Sequence, residues 1–422
     1  MKNLFALFLV AALNVISVSP TLAQGTEKMI SVTNGQLHTL EAGDGPYTII
    51  FEAGFMSDLS VWHKVAPAAT KHGKIILYSR AGVGKSPARA QPLNLIQHTE
   101  ELRQLIDTMQ IKTPIILVGH SYGGWVVREF AAKYPKQIAG FVLVDPANET
   151  LEVELRKINP EKVAQDQKRL ESMAPPVAKA DLALVQKIFD EAKLPTNTAI
   201  PDMPMAILSS IQVARNNPFY QETAPALAIK RELHARFFAQ FSNGVHVVTN
   251  QSGHHIQLDE PHLVIDAINL VVTNIEKETQ KRERQIAKQK ARQAMMLEIE
   301  KADALLNANK VQEASATLNE ALKVSQLTES EINQLGFDML EKAKKPLLAE
   351  IVLAYNVARF PQSDNAYDSY GEALLALNKF EEAKTQFEQA LRLGKANPQR
   401  SPKALLGYEK NLKKAEQGLS KK

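Results

Sequence analysis

A five-residue motif with glycine at both ends constrains the fold of this chain more than any other feature. Residues 119–123 have the sequence Gly-His-Ser-Tyr-Gly, between an apolar run at 115–118 and an amphipathic stretch at 125–134. This context predicts a sharp strand-to-helix turn, because a large side chain two residues from the serine would collide with the strand or the helix. Ser121 is therefore predicted to be a nucleophile, with the amide of Tyr122 at the positive end of a new helix. The alternative is a tight turn whose serine has only local hydrogen bonds.

A histidine beyond the last predicted strand is a candidate base. Residues 245–249 predict a strand, and the loop at 252–255 follows it. His254, directly after a glycine, is the preferred proton acceptor. His255 is interpreted as a partly solvated loop residue or the neighbour of a helix cap, and His246 as a strand residue facing water.

A glycine at the end of an upstream strand supplies a second backbone donor. Residues 47–51 predict a strand, and Gly54 follows it closely. The glycine allows the amide of Phe55 to turn inward, so that Phe55 and Tyr122 together form a two-donor oxyanion hole. One such donor lowers a barrier by about 3 kcal/mol.

Together these motifs resemble the α/β-hydrolase family over roughly residues 30–275. The matching pieces are, in chain order, the loop at 52–55 with Trp62 beyond it, the Arg-x-Gly-x-Gly segment within 78–86, the turn at 119–123, the strand end at 143–146, and Ser252-Gly253-His254. The resemblance implies an α/β fold with an eight-stranded, mostly parallel sheet wrapped by helices and with catalysis at the strand ends.

Three positions depart from the family pattern. Glu52-Ala53 stands where the family often has histidine before the oxyanion glycine, and Ser79 stands where it often has aspartate. No carboxylate follows the predicted strand at 205–208, which is the usual place of the acid that orients the histidine.

Another family branch places that acid one strand earlier, which here is Asp145. It ends the predicted strand 141–144, and its carboxylate could hold His254 in the tautomer whose other nitrogen faces Ser121. The alternative is an aspartate that bonds only local backbone. Glu149, Asp202 and Glu222 are the reserve candidates for the acid.

The resemblance implies an acyl-enzyme mechanism that needs no metal and no cofactor. The substrate is expected to be a small molecule with an ester or related acyl bond, with amidase, lactonase and thioesterase activities open.

The insert at 146–202 carries helical patterns at 164–173 and 180–193 and is expected to form a cap. Its apolar residues would line an acyl pocket or pack in a core: Leu151, Leu155, Met173, Leu182 and Leu184. A binding or scaffold protein that has lost activity is the second functional class.

The first 23 residues predict export. Lys2, the apolar stretch at 4–13 and the small residue Ala23 make a cleavable signal peptide, leaving no membrane span in the mature chain. The sequence contains no cysteine, so neither a disulfide nor a lipid anchor at the cleavage site can form. We therefore expect a bacterial periplasmic or secreted protein.

The composition changes after the catalytic domain, which is predicted to span 24–275. Residues 276–300 predict a charged linker helix, and since acidic side chains interleave with the basic ones, nucleic-acid binding is not expected. Residues 301–422 resemble tetratricopeptide repeats, which form helix pairs with small residues where the helices cross. The most complete copy carries Gly371, Ala373, Phe380, Ala383, Phe387 and Ala390. A protein or peptide partner, or a homodimer, is expected to use these repeats.

Overall fold

The computed structural model describes residues 25–33, 35–213 and 219–421, so the predicted signal peptide lies outside the described residues. The chain divides into two compact units, Met1–Thr279 and Gln280–Lys422. The boundary falls within a single continuous helix, and each unit is described by itself below.

An eight-stranded sheet forms the centre of the first unit, as the sequence predicts. Its strands are β1 (Thr26–Val32), β2 (Gly35–Ala42), β3 (Tyr47–Glu52), β4 (Gly73–Tyr78), β5 (Ile115–His120), β6 (Ile138–Val144), β7 (Met205–Ser210) and β8 (Gly244–Thr249). The order across the sheet is β1-β2-β4-β3-β5-β6-β7-β8. β1 pairs with β2 and β2 with β4 in antiparallel fashion, and all other pairs are parallel.

The central strands β3 and β5 are buried along their whole length because helices cover both faces of the sheet. In β3, Ile49 and Phe51 pack into one core and Ile50 into the other, as the two-residue period of a strand requires. The carboxyl ends of these parallel strands meet at one edge of the sheet. Loops that follow them therefore come together there.

Nine α-helices begin in the described part of the first unit. They are α1 (Ala66–Ala69), α2 (Leu95–Thr108), α3 (Tyr122–Lys133), α4 (Leu151–Ile158), α5 (Pro160–Met173), α6 (Lys179–Glu191), α7 (Ala224–Phe238), α8 (Ile256–Asp259) and α9 (Pro261–Asn307). Helices α4 to α6 occupy the insert between β6 and β7. Leu151 and Leu155 of α4 are buried against Val163 and Tyr220, so these two residues pack in a core of their own.

The charged segment predicted as a linker is part of α9, and its residues 276–294 are exposed. The second unit continues with α10 (Val311–Val324), α11 (Glu329–Phe337), α12 (Pro346–Arg359), α13 (Asp364–Ala376), α14 (Phe380–Ala396) and α15 (Pro402–Leu419). Among the described residues, no helix is long and apolar enough to cross a membrane.

The turns that join the two helices of each pair in the second unit share a backbone conformation. Asn309, Lys344 and Asn378 each have a positive φ, of 60°, 57° and 57°. The next amide donates back to a carbonyl five residues earlier in the first and third turns, Lys310 to Leu305 at 2.8 Å and Lys379 to Leu374 at 3.0 Å. These turns recur after 35 and 34 positions, as the residue numbers show.

The second of these turns contains one extra residue. There the amide of Lys345 donates to the carbonyl of Met339, six residues earlier, at 2.8 Å. A π-helical turn at Asp338–Lys342 absorbs the additional residue just before it. The inserted residue therefore widens one turn of helix and leaves the pairing of α11 with α12 in place.

Candidate active site

Ser121 lies at the strand-to-helix corner that its motif predicted. It follows β5 and precedes α3, with φ 52° and ψ −120°, a strained conformation for a residue with a side chain. A Cβ atom placed on Gly119 would lie 2.6 Å from the carbonyl oxygen of Gly123, and one placed on Gly123 would lie 2.5 Å from the carbonyl oxygen of Glu52. Glycine at both positions is what allows the chain to turn so tightly.

The structure brings Asp145 and His254 together, although 109 positions separate them in the chain. Asp145 directly follows β6, and its Oδ2 lies 2.7 Å from Nδ1 of His254. The carboxylate is buried, and its Oδ1 accepts the amide of Ser210 at 2.9 Å. The end of β7 therefore donates a backbone hydrogen bond to Asp145. In the usual family pattern, the end of this strand carries the acid instead.

A lysine that the sequence did not reveal shares this carboxylate. Nζ of Lys230, on α7, donates to Oδ2 of Asp145 at 2.8 Å. Burial by itself would raise the pKa of Asp145, but the lysine charge and the hydrogen bond from His254 outweigh it and hold the pKa well below its usual range. Asp145 is therefore ionised at neutral pH. A lone lysine on a helix gives no sequence signal for such a contact.

Two further contacts fix the loop that carries His254. Nε2 of His120 donates to the carbonyl of His254 at 2.9 Å, which requires the tautomer with its proton on Nε2. Burial holds the pKa of His120 well below the ordinary histidine value, so this ring is neutral. The hydroxyl of Ser210 donates to the carbonyl of Ser252 at 2.6 Å on the same loop.

The loop after β3 lies directly against the corner of Ser121. A Cβ atom on Gly54 would lie 3.4 Å from Cβ of Ser121 and 2.8 Å from Nδ1 of His120. The rings of Phe55 and Tyr122, whose amides are the predicted oxyanion donors, have centroids 6.0 Å apart. The structure therefore brings the two donor residues to the same corner as the serine.

The reserve carboxylates have other partners or surroundings. Glu149 forms a bidentate salt bridge with Arg128, with both N–O distances 2.7 Å. Asp202 accepts from the amide of Ser242 at 2.9 Å. Glu222 stands near the Asp145 and His254 pair, where burial raises its pKa against the opposing charges of His254 and Lys230.

One histidine differs from its interpretation in the sequence. His246 does not simply face water: its Nε2 lies 2.8 Å from Oγ of Ser209. Ser209 also bonds Nδ1 of His234 at 2.7 Å, and Nε2 of His234 donates to the carbonyl of Pro146 at 2.9 Å. This chain of hydrogen bonds ties α7 to the residue after Asp145. His255 is the N-cap residue directly before α8, with its ring 5.1 Å from that of His120.

No group of three or more histidine and carboxylate residues able to hold a metal ion occurs in the described ranges. The reactive groups that the structure does bring to this edge are a hydroxyl, an imidazole, a buried carboxylate and backbone amides. This set can carry out nucleophilic attack on a carbonyl with proton transfer.

Comparison with known proteins agrees with the fold. Residues 47–221 match a family model described as the alpha/beta hydrolase fold. The chain is 27% identical over 243 residues to YqjL of Bacillus subtilis, covering 57% of this chain and 90% of YqjL. It is 34% identical over 112 residues to the lipase LipV of Mycobacterium tuberculosis, covering 26% of this chain and 42% of LipV, less than half of that relative. A crystal structure of the carboxylesterase CesB from Bacillus subtilis is 15% identical with a TM-score of 0.41, covering 59% of this chain and 92% of CesB.

Proposed function

We propose that this α/β hydrolase cleaves carboxylic esters of small molecules through a covalent acyl-enzyme, with Ser121 as nucleophile, His254 as base and Asp145 as orienting acid. The observation that carries the proposal is the 2.7 Å contact between Asp145 and Nδ1 of His254 at the strand edge where Ser121 stands. The match to the alpha/beta hydrolase family model and the likeness to a lipase support the same bond class.

The proposed reaction has two halves. His254 takes the proton of Ser121 as the hydroxyl oxygen attacks the ester carbonyl, and the same proton then passes to the leaving alcohol. Water attacks the acyl-enzyme with His254 again as base, which releases the acid and restores the serine. The amides of Phe55 and Tyr122 hold the oxyanion in both halves.

The strained corner at Ser121 supports this role because strained backbone of this kind clusters at active sites. A residue with a side chain at φ 52° and ψ −120° is held there by the surrounding structure. The same corner places the Tyr122 amide in the first turn of α3, where that amide has no carbonyl of its own helix to bond.

A fluorophosphonate probe and short-chain aryl esters test the nucleophile. We expect the wild-type protein to be labelled and to turn over the esters, and Ser121→Ala to lose both. Ser172→Ala, at an exposed serine of α5, is the control and should keep the label. Wild-type protein that neither reacts nor turns over any ester would contradict the proposal.

The acid is tested by its removal. Asp145→Asn is expected to lower kcat by about 10⁴-fold, because the amide selects the wrong histidine tautomer. Glu222→Gln, at the nearby carboxylate, should change kcat by less than about tenfold, since Asp145 and not Glu222 holds Nδ1 of His254 at 2.7 Å. Steady-state kinetics of the two variants decide between them, and the reverse ranking would move the role to Glu222.

We further propose export and a repeat module. The basic and apolar pattern ending at Ala23 supports a cleaved signal peptide, which N-terminal sequencing of the secreted protein would test. The recurrence of left-handed turns at Asn309, Lys344 and Asn378 supports tetratricopeptide-like repeats at 301–422 that bind a protein or peptide partner. Capture of a partner by the full chain, lost on substitution within these repeats, would test the second part.

A further inference from the structure

A buried arginine lies behind the loop that carries one of the proposed oxyanion donors. Arg80 follows β4 and is 5% exposed. Its Nη1 donates to the carbonyl of Ala53 at 2.6 Å and to the carboxylate of Glu52, and its Nη2 donates to the carbonyl of Gly54. One guanidinium therefore holds three consecutive residues of the loop.

The carbonyl of Gly54 accepts from Arg80 and also from the amide of Ser57 at 3.2 Å, and its orientation sets the direction of the next amide. The carbonyl of Gly54 and the N–H of Phe55 belong to one peptide group, which is planar and, as in every described bond of the chain, trans. In such a group the C=O and N–H bonds point in opposite directions. A guanidinium that fixes the oxygen on one side therefore fixes the N–H on the other.

We propose that Arg80 is a positioning residue that aims the Phe55 amide at the oxyanion; this inference rests on the proposed function. The guanidinium also polarises the Gly54 peptide, which makes the Phe55 N–H a stronger donor. It also lies 5.1 Å from the ring centroid of Tyr122, whose amide is the other donor assigned to the oxyanion hole.

The surroundings of Arg80 indicate that orientation is its task. Its counter-charge, Glu52, is fully buried and also accepts from the hydroxyl of Tyr78. Burial raises the pKa of Glu52 to about 7, with Arg80 opposing the rise. A buried ion pair adds little stability compared with apolar packing, so its presence behind a catalytic loop points to a geometric role. Lysine could not replace arginine here, because only the planar guanidinium group donates to several acceptors in fixed directions.

The same cluster supplies a matched control. Arg89 is also nearly buried, and its Nε and Nη2 donate to Glu101. Neither Arg89 nor Glu101 makes a hydrogen bond to the loop at 53–55 among those the structure records. Removing Arg89 leaves a buried carboxylate unpaired, as removing Arg80 does, but it leaves the oxyanion loop alone.

The experiment compares Arg80→Met, Arg80→Lys and Arg89→Met in the full chain. Each is measured for kcat and KM on an aryl ester, for the affinity of a trifluoromethyl ketone that forms an oxyanion on Ser121, and for the melting temperature. We expect Arg80→Met to lower kcat and the ketone affinity by about 100-fold with KM changed less than about threefold. Arg80→Lys should lose about tenfold in kcat, and Arg89→Met should lower the melting temperature while keeping kcat within about twofold.

The outcomes separate the two proposals. If wild type shows turnover that Ser121→Ala abolishes, but Arg80→Met matches Arg89→Met in kcat and ketone affinity, Arg80 has no positioning role and the proposed function stands. If wild type has no serine-dependent reaction, both fail. Should Arg80→Met not fold, Arg80→Lys decides: kcat equal to wild type overturns the inference, and a fall in kcat and ketone affinity by the same factor supports it.

Discussion

One carboxylate oxygen of Asp145 accepts hydrogen bonds from two donors, so both donors share its negative charge. His254 and Lys230 both approach Oδ2, at 2.7 and 2.8 Å. The lysine charge stabilises the carboxylate and at the same time opposes the formation of a second positive charge on the imidazole. Glu222, the neutral rings of His234 and His120, and the ring of His255 also face this pair.

Replacing Lys230 tests whether it shares the charge of Asp145 with His254. We expect Lys230→Met to move the acidic limb of the kcat/KM profile to higher pH, because the whole charge of Asp145 then faces His254. Lys230→Arg keeps the charge and should keep the profile near that of wild type. The control Arg236→Gln removes an exposed cation from the same helix and should leave the limb in place. An unmoved limb in Lys230→Met would show that the lysine has only a packing role.

Among the elements, those with a strong local pattern were predictable from sequence. The strand, glycine corner and helix around Ser121 follow from steric rules that act within a few residues. Lys230 and the tie between His234 and Pro146 could not be predicted, since they depend on how α7 packs against the ends of β6 and β7. The role of Arg80 could not be predicted either. The sequence shows the Arg-x-Gly-x-Gly motif, but it does not show which backbone carbonyls the arginine binds.

Two glycines in helices of the second unit make a matched pair. A Cβ atom on Gly371 of α13 would lie 2.5 Å from the ring of Phe387 on α14, whereas one on Gly407 of α15 would meet nothing within 4 Å. Gly371→Ala is expected to destabilise by about 2 kcal/mol through overpacking. Gly407→Ala should stabilise by about 0.5–1 kcal/mol, since alanine loses less backbone entropy in a helix.

Urea unfolding of the full chain, followed by far-UV circular dichroism, measures both changes. Opposite shifts of the helical transition are the expected result. A tolerated Gly371→Ala would mean that α13 and α14 can separate at their crossing, which would also weaken the proposed repeat assignment, because that assignment requires a small residue there.

At the scale of the whole molecule, the buried histidines of the first unit link its stability to acid. Burial lowers the pKa of both His98 and His234 from 6.5 to about 3. In the unfolded chain each ring takes up a proton below pH 6.5, but in the folded chain it stays neutral until about pH 3. Stability is therefore full above pH 6.5 and falls as the pH drops towards 3, by about 1.4 kcal/mol per pH unit for each group.

Tryptophan fluorescence can follow this loss in the first unit alone, because the two tryptophans of the chain, Trp62 and Trp125, are both buried there. We expect the melting temperature from this signal to fall steadily between pH 6.5 and 3. His234→Gln should show a shallower fall, since one of the buried rings that drive it is gone, whereas His262→Gln, at an exposed position of α9, should follow wild type. Equal slopes for His234→Gln and wild type would mean that His234 does not stay neutral in the folded protein. The hydrogen bonds through which it holds α7, and with it Lys230, beside Asp145 would then require a charged ring.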